Sequence, residues 1–192
     1  MPISGEWALS PLGIYAMVQT ILADEAEVVL ECGSGTSTIW FGMAVRESGV
    51  GHVWALEHDK RFLEKTRSEV ARHGLDDFVS VLDAPLCPVD GESPDAGVWY
   101  SKEFLDRLSG PIDVLLVDGP PAGSEGQRDH VLSVVRDSLR PGAWIFVDDM
   151  VRPREKAMVA NWLKAHPELE RLPSPSPQIA LLRWNVDQIR RA

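Results

Sequence analysis

Short apolar runs alternate with helical patterns along almost all of the 192 residues, and this alternation constrains the fold more than any other feature. Strand-like runs such as "VVLECG" and "IDVLLVDG" are each followed by a turn and then by a segment with helical periodicity. Strands that alternate with helices form a parallel sheet with helices on both faces. The sequence therefore predicts a doubly wound α/β domain, in which ligands bind beyond the carboxyl ends of the strands.

The two ends of the chain extend this pattern. Ser10 predicts a helix N-cap, because a proline follows it at the first helical position. Residues 168–184 predict two strands around a proline-rich turn, which would form an antiparallel pair at one edge of the sheet. We therefore expect a single domain over residues 1–192, with an N-terminal helical segment over residues 1–24 and an α/β core over residues 25–192.

Two connecting segments carry specific predictions. Residues 88–103 are rich in Pro, Gly and Asp, so we expect a loop there. Within this loop, Trp99 and Tyr100 either form part of a lid over the substrate or pack onto the edge of the core. The pattern of residues 127–140 predicts a helix that ends at the Pro-Gly pair that follows it.

The composition argues against several classes of protein. The chain carries 19 basic and 29 acidic residues, a formal charge of −10, whereas broad nucleic-acid binding needs a basic face. No stretch approaches the roughly 20 apolar residues of a membrane helix, and the first residues do not resemble a secretion signal. Cys32 and Cys87 form no CxxC pair, so we expect a reducing, cytoplasmic setting.

We also expect a small-molecule substrate, and the N-terminal helix is a candidate surface for a homodimer.

The turn after the first strand is the first candidate ligand site. Gly33 and Gly35 let the backbone approach a ligand closely, but Thr38 stands where the dinucleotide fingerprint has its third glycine. Glu31 precedes the turn, where a carboxylate would repel a pyrophosphate and attract an ammonium group. Alone, the turn is a weak signal, because many glycine turns only permit a tight bend.

Two more acids end the next two strands. Glu57 lies 22 residues after Gly35, where a carboxylate can accept hydrogen bonds from both ribose hydroxyls. Asp83 ends the third strand and can accept a hydrogen bond from an exocyclic adenine amine. Taken singly, these acids are equally well explained as helix caps or solvated strand ends. As an ordered set behind the glycine turn, they predict a ligand with an ammonium group, a ribose and an adenine, a description that fits S-adenosylmethionine.

The sequence resembles the class I S-adenosylmethionine-dependent methyltransferases over nearly the whole chain. The matching pieces are "VVLECGSGTST", "VWALEHD", "VSVLDAPL", "IDVLLVDGPP" and "LRPGAWIFVDDM", in the order and at the spacing of that family. The resemblance implies a mainly parallel, seven-stranded sheet with an antiparallel last strand. It also implies that S-adenosylmethionine is the cofactor, bound by residues in the turns after the strands: Glu31, Gly33, Gly35, Thr36, Ser37, Glu57, His58, Asp83, Ala84 and Asp118.

Three aspartates after the fourth and fifth predicted strands indicate the chemistry. Asp118, Asp148 and Asp149 would repel one another at the rim of the sheet unless a cation joined them, and oxygen ligands suit Mg²⁺. The pattern is similar to the metal-dependent O-methyltransferases, which implies these three residues as metal ligands. The resemblance further implies that the ion orients a substrate hydroxyl and lowers its pKa for attack on the methyl group.

Several alternatives are left open. Pro121 stands where catechol-type enzymes have a lysine, so the general base is unassigned. Besides Asp118, His130 is a candidate catalytic residue, although a position on the first turn of a surface helix explains it more simply. Arg128, Arg152 and Arg154 either form a basic rim for an anionic substrate or pair with nearby acids. In a metal-free alternative, Asp118 bonds within its turn and Asp149 caps the following helix. The acceptor is then a nitrogen, a carboxylate or another group. A nicotinamide-dependent oxidoreductase and a non-catalytic partner module are further alternatives.

Overall fold

The computed structural model describes residues 9–89, 97–121 and 127–185, which build one main sheet covered by helices. The strands are β1 (Val28–Cys32), β2 (His52–Glu57), β3 (Val79–Asp83), β4 (Leu86–Pro88), β5 (Val98–Tyr100), β6 (Ile112–Val117), β7 (Leu139–Val147), β8 (Leu169–Leu172) and β9 (Ala180–Trp184). The main sheet has seven strands in the order β3-β2-β1-β6-β7-β9-β8, and β4 pairs separately with β5.

The strand directions confirm the predicted fold class. Strands β3, β2, β1, β6 and β7 run parallel to one another. Strand β9 is antiparallel to β7, and β8 is antiparallel to β9, as predicted for the tail of the chain. The order reverses between β1 and β6, so the ends of these two strands border the crevice in which ligands of open α/β sheets bind.

The helices form where the sequence places their caps. They are α1 (Pro11–Ala23), α2 (Thr36–Ser48), α3 (Lys60–Arg72), α4 (Val131–Val135) and α5 (Pro153–Ala165). Ser10 Oγ accepts a hydrogen bond from the Gly13 amide at 3.1 Å, which confirms the predicted N-cap of α1. Of the predicted N-terminal segment, residues 1–8 lie outside the described residues. Among the described helices, none combines the length and apolarity that crossing a membrane requires.

The core lies on both faces of the sheet. Successive residues of a strand point to opposite faces, so Leu30 and Leu115 pack in one cluster while Val29 and Leu116 pack in the other. All five residues of β1 are buried, as expected for a strand covered on both sides. Each fully buried Leu or Val side chain stabilises the fold by about 1.5–3 kcal/mol. These two layers hold the strand ends, and therefore the site, in fixed positions.

The prediction of a loop over residues 88–103 is wrong in part. Leu86–Pro88 and Val98–Tyr100 form an antiparallel ladder, and Trp99 is fully buried against the core. Residues 90–96, the middle of this segment, lie outside the described residues. Trp99 and Tyr100 give β5 an apolar face to bury, and this outweighs the turn-forming composition of the segment.

The helix predicted over residues 127–140 is also wrong in part. Only α4, with five residues, is α-helical, and short 3₁₀ segments flank it at 128–130 and 136–138. The Pro-Gly pair lies inside β7 instead of ending a helix, because Leu139 pairs with Ile112 and extends the sheet. Pairing with β6 therefore overrides the local helical pattern.

Candidate active site

A cleft of about 670 Å³ lies at the carboxyl ends of β1, β2, β6 and β7. Its walls come from the turns that follow these strands, from the N-cap of α1 and from the first turn of α3. A volume in this range suits a ligand of the size of a nucleoside with a side chain. The cleft therefore occupies the position that the strand order predicts for a ligand.

Two glycines let the turns after β1 and β6 approach each other at the floor of the cleft. Gly33 has a φ of 107°, which favours glycine, and it donates its amide hydrogen to Leu56 O at 3.0 Å. A Cβ atom on Gly119 would lie 2.3 Å from the hydroxyl of Tyr100 and 3.0 Å from the carbonyl oxygen of Cys32. The backbone itself therefore forms the floor, as the glycine turn predicted.

Glu31 does not line the cleft. Its carboxylate is fully buried and accepts hydrogen bonds from the hydroxyls of Ser37 and Thr38, at 2.6 Å for Thr38. Burial raises the pKa of Glu31 to about 7, although the two hydroxyl donors oppose this shift. Neither Glu31 nor Ser37 lines the cleft, and the hydrogen bond between them connects the end of β1 to the start of α2. That Glu31 binds an ammonium group of the ligand stays a prediction.

Glu57 does line the cleft, as expected. Its Oε1 accepts hydrogen bonds from the backbone amides of His58 and Asp59 at 2.9 and 3.0 Å. Its Oε2 accepts from Ser34 Oγ at 2.9 Å, and Ser34 also lies 3.1 Å from Thr66 Oγ1. A carboxylate offers about four lone-pair sites, so Glu57 retains acceptor capacity toward the cleft. Ser34 lines the cleft too, and sequence analysis missed it although it stands between the two glycines of the turn.

Asp83 lies outside the cleft lining. It is the last residue of β3 and lies beside Glu57, but its partly exposed side chain forms an ion pair with Lys60. The neighbouring Ala84 donates its amide hydrogen to the carbonyl oxygen of Glu57 at 2.8 Å and also does not line the cleft. Ten residues are predicted to bind S-adenosylmethionine. Those that line the cleft are Gly33, Glu57, His58 and Asp118. Those that do not are Glu31, Gly35, Thr36, Ser37, Asp83 and Ala84.

The three aspartates meet at the rim, as the sequence predicts. One carboxylate oxygen each from Asp118, Asp148 and Asp149 lies within 4.8 Å of the other two. Asp149 has a φ of 64°, a conformation that Asp tolerates, so the chain turns there and both residues after β7 contribute to the cluster. Burial and then the charge of Asp148 hold the pKa of Asp118 well above its usual range, and burial raises the pKa of Asp148. A donor set of three carboxylates fits a hard divalent cation.

Arg128 pairs with two of these aspartates, which confirms the interpretation that it pairs with nearby acids, but it does so from a buried position. Its side chain is only 6% exposed, so it is not a surface arginine, yet it lines the cleft. Its Nη2 donates to Asp118 O at 2.6 Å and its Nε donates to Pro120 O at 3.1 Å. Its Nη1 lies 3.1 Å from Asp149 Oδ2, which Arg152 Nη1 approaches at 2.7 Å. The sequence did contain one indication of this position, because three converging carboxylates need a positive charge close to them.

His130 is not brought together with the aspartates. It is 7% exposed and does not line the cleft, so it lies neither on a surface helix nor at the site. The 3₁₀ segment that carries it is held by Trp162 Nε1, which donates to Asp129 O at 3.2 Å. Of the Gly-rich loop before it, residues 122–126 lie outside the described residues. The position of His130 therefore does not support its predicted role as a general base.

Comparisons with known proteins agree with this architecture. Residues 30–150, more than half of the chain, match the model of a family described as a methyltransferase domain. The chain is similar to a Methanothermobacter thermautotrophicus protein named "Probable cobalt-precorrin-6B C(15)-methyltransferase (decarboxylating)", with 27% identity over 121 residues, 63% of this chain and 51% of that protein. It is also similar to an arginine N(omega)-methyltransferase from Streptomyces achromogenes subsp. streptozoticus, with 26% identity over 54% of this chain and 27% of that protein. The chain thus spans about half the length of the first relative.

A similar fold is found in the O-methyltransferase from Bacillus cereus, whose structure was determined in complex with SAH. The TM-score is 0.64 and the identity is 19%, and the match covers 93% of this chain and 82% of that one. At this identity the likeness concerns the fold.

Proposed function

Because the chain belongs to the methyltransferase-domain family, we propose that it transfers a methyl group from S-adenosylmethionine to a small-molecule acceptor. The family match also confirms the resemblance to class I methyltransferases and argues against the nicotinamide-dependent alternative. The observation that carries the proposal is the position of the Glu57 carboxylate at the edge of the cleft. Hydrogen bonds from the Ser34 hydroxyl and from the amides of His58 and Asp59 hold it there. In that position Glu57 is suited to accept hydrogen bonds from a ribose.

The acceptor that the aspartate cluster favours is a hydroxyl group. The named relatives transfer to carbon and to nitrogen, so the argument for oxygen rests on Asp118, Asp148 and Asp149. These three residues would hold a divalent cation such as Mg²⁺ through oxygen ligands alone. A bound ion of this kind lowers the pKa of a coordinated hydroxyl. The residues of the chain itself orient the acceptor beside the donor and keep both in the cleft.

A metal-independent transfer is the second candidate. Asp149 is already paired with Arg128 and Arg152, so part of the negative charge of the cluster is neutralised within the protein. With this candidate the aspartates bind the acceptor directly, and nitrogen or carboxylate acceptors become equally suitable.

Two measurements test the proposal in sequence. Calorimetric titration of the protein with S-adenosylhomocysteine and, separately, with NADH tests the donor, and we expect binding of S-adenosylhomocysteine alone. Transfer of a labelled methyl group to a panel of phenols, sugars and amines, with and without a chelator, then tests the acceptor and the metal. Transfer to hydroxyl compounds that the chelator abolishes supports the first candidate, and chelator-insensitive transfer supports the second. If the protein binds neither S-adenosylhomocysteine nor NADH, both candidate functions are contradicted.

A further inference from the structure

Arg128 places a permanent positive charge inside the aspartate cluster. Its guanidinium lies 3.1 Å from Asp149 Oδ2 and 3.5 Å from Asp118 Oδ1, and its side chain is almost completely buried. Hydrogen bonds to two backbone carbonyl oxygens, those of Asp118 and Pro120, fix the guanidinium in this place. An arginine stays protonated in proteins, so the charge cannot be removed by a change of pH.

The charges of the cluster nearly balance within the protein. Three carboxylates carry −3 and two arginines, Arg128 and Arg152, carry +2, which leaves −1 when all are ionised. Arg152 also lies 3.8 Å from Glu155 Oε1, so Arg128 is the arginine whose charge belongs to the cluster alone. Both arginines are directed at Asp149, and Arg128 also approaches Asp118. Within the described part of the chain, no arginine lies within ion-pair distance of Asp148. Asp148 is therefore the carboxylate whose charge is least compensated.

We infer that Arg128 is a positioning residue that acts as an internal counter-cation, so that the aspartate cluster is stable without a metal ion and binds a divalent cation only weakly. This inference rests on the proposed function of the same site. Two unit charges a few ångströms apart interact strongly in a partly buried site, so the guanidinium opposes the entry of a second cation. Binding of the ion then depends on further oxygen ligands from the acceptor. The metal is accordingly recruited together with the substrate.

A purely structural role for Arg128 leads to a different expectation. If the guanidinium only held the turn after β6 through its two carbonyl contacts, its removal would loosen Asp118 and weaken cation binding. If its charge is the important property, its removal raises the negative charge of the cluster from −1 to −2 and strengthens cation binding. The direction of the change therefore distinguishes the two roles.

The test measures Mn²⁺ binding by electron paramagnetic resonance and calorimetry, without acceptor, in three variants of the full chain. Arg128→Met removes the charge, and we expect Mn²⁺ to bind at least about tenfold more tightly than to the wild type. Arg128→Lys keeps the charge but loses the guanidinium contacts to the two carbonyl oxygens, and on the charge argument we expect affinity within about threefold of the wild type. The control is Arg140→Met, which breaks a 2.9 Å pair with Asp113 at the opposite end of β6 and should leave the affinity unchanged.

If Arg128→Met does not fold, Arg152→Met tests the same argument, because this partly exposed arginine also neutralises Asp149. Unchanged or weaker Mn²⁺ binding in the folded charge-removing variant overturns the inference. Failure of the wild type to bind S-adenosylhomocysteine would instead contradict the proposed function, whatever the Mn²⁺ result.

Discussion

Thr38 Oγ1 lies 2.6 Å from Glu31 Oε2 and accepts a hydrogen bond from the Gly35 amide at 2.9 Å. The residue that replaces the third glycine of a dinucleotide fingerprint is therefore the partner of the acid that precedes the turn. Together they connect the end of β1 to the first turn of α2. The two departures from a phosphate-binding turn thus have one structural explanation, because each side chain satisfies the other.

Replacing Thr38 by Val tests this connection. The substitution keeps the shape of the side chain but leaves Glu31 Oε2 and the Gly35 amide without a partner, and we expect a loss of about 1–3 kcal/mol of unfolding free energy. Thr20→Val, on the partly exposed face of α1, is the matched control and should change the unfolding free energy by about 0.5 kcal/mol or less. Urea unfolding of both variants provides the comparison, and equal stabilities would show that the contact contributes nothing.

The raised pKa of Glu31 predicts a dependence of stability on pH. Burial raises the pKa of Glu31 to about 7 in the folded protein, against about 4.5 when it is exposed. Between these values the folded state binds a proton that the unfolded state does not, so the unfolding free energy falls as pH rises through this window. Below about pH 4.5 this contribution is fully present, and above about pH 7 it no longer changes.

Glu31→Gln removes the titrating group and isolates this effect. The difference in unfolding free energy between the variant and the wild type should shift in favour of the variant by on the order of 3 kcal/mol between pH 4 and pH 8. Urea unfolding at a series of pH values measures it. A difference that stays constant over this range means that Glu31 titrates normally or remains charged.

Glu57 and Asp83 are register neighbours at the ends of β2 and β3, yet the structure predicts different roles for them. Glu57 borders the cleft, so Glu57→Gln should weaken S-adenosylhomocysteine binding about tenfold or more, because a hydrogen bond to a charged acceptor is lost. Asp83→Asn removes a carboxylate that pairs with Lys60 outside the cleft and should change the affinity less than about threefold. Calorimetric titration of both variants decides the matter, and equal losses would restore Asp83 as a ligand contact.

The sheet and the position of the cleft could be predicted from the sequence. Each parallel strand is an apolar run bounded by turn-forming residues, and parallel strands bring their carboxyl ends to one edge. For that reason Glu57, Asp118, Asp148 and Asp149 were correctly placed at the rim, where the structure has them.

The position of Glu31 at the end of a strand was not enough to predict the direction of its side chain. The side-chain period of two puts Glu31 on the face of Val29, which α2 covers, and not on the open side of the turn. Arg128 shows a different limit, because the local pattern of its segment does not distinguish a buried arginine from one on the surface. The charge balance that identifies it depends on contacts between β6, β7 and the segment after them, which are distant in sequence.

Gly119 is required by the close approach of the Tyr100 side chain and of the backbone turn after β1, and a pair of substitutions can demonstrate it. In Gly119→Ala, the new methyl group would lie 2.3 Å from the Tyr100 hydroxyl, 3.0 Å from Cys32 O and 3.1 Å from the Gly33 amide nitrogen. We expect a loss of about 1–3 kcal/mol of unfolding free energy together with weaker S-adenosylhomocysteine binding, because the floor of the cleft must shift. Adding Tyr100→Phe removes the closest of these atoms, so the double variant should be more stable than Gly119→Ala alone. Tyr100→Phe by itself serves as the control. If the two substitutions are simply additive in urea unfolding, the hydroxyl is not what excludes a side chain at this position.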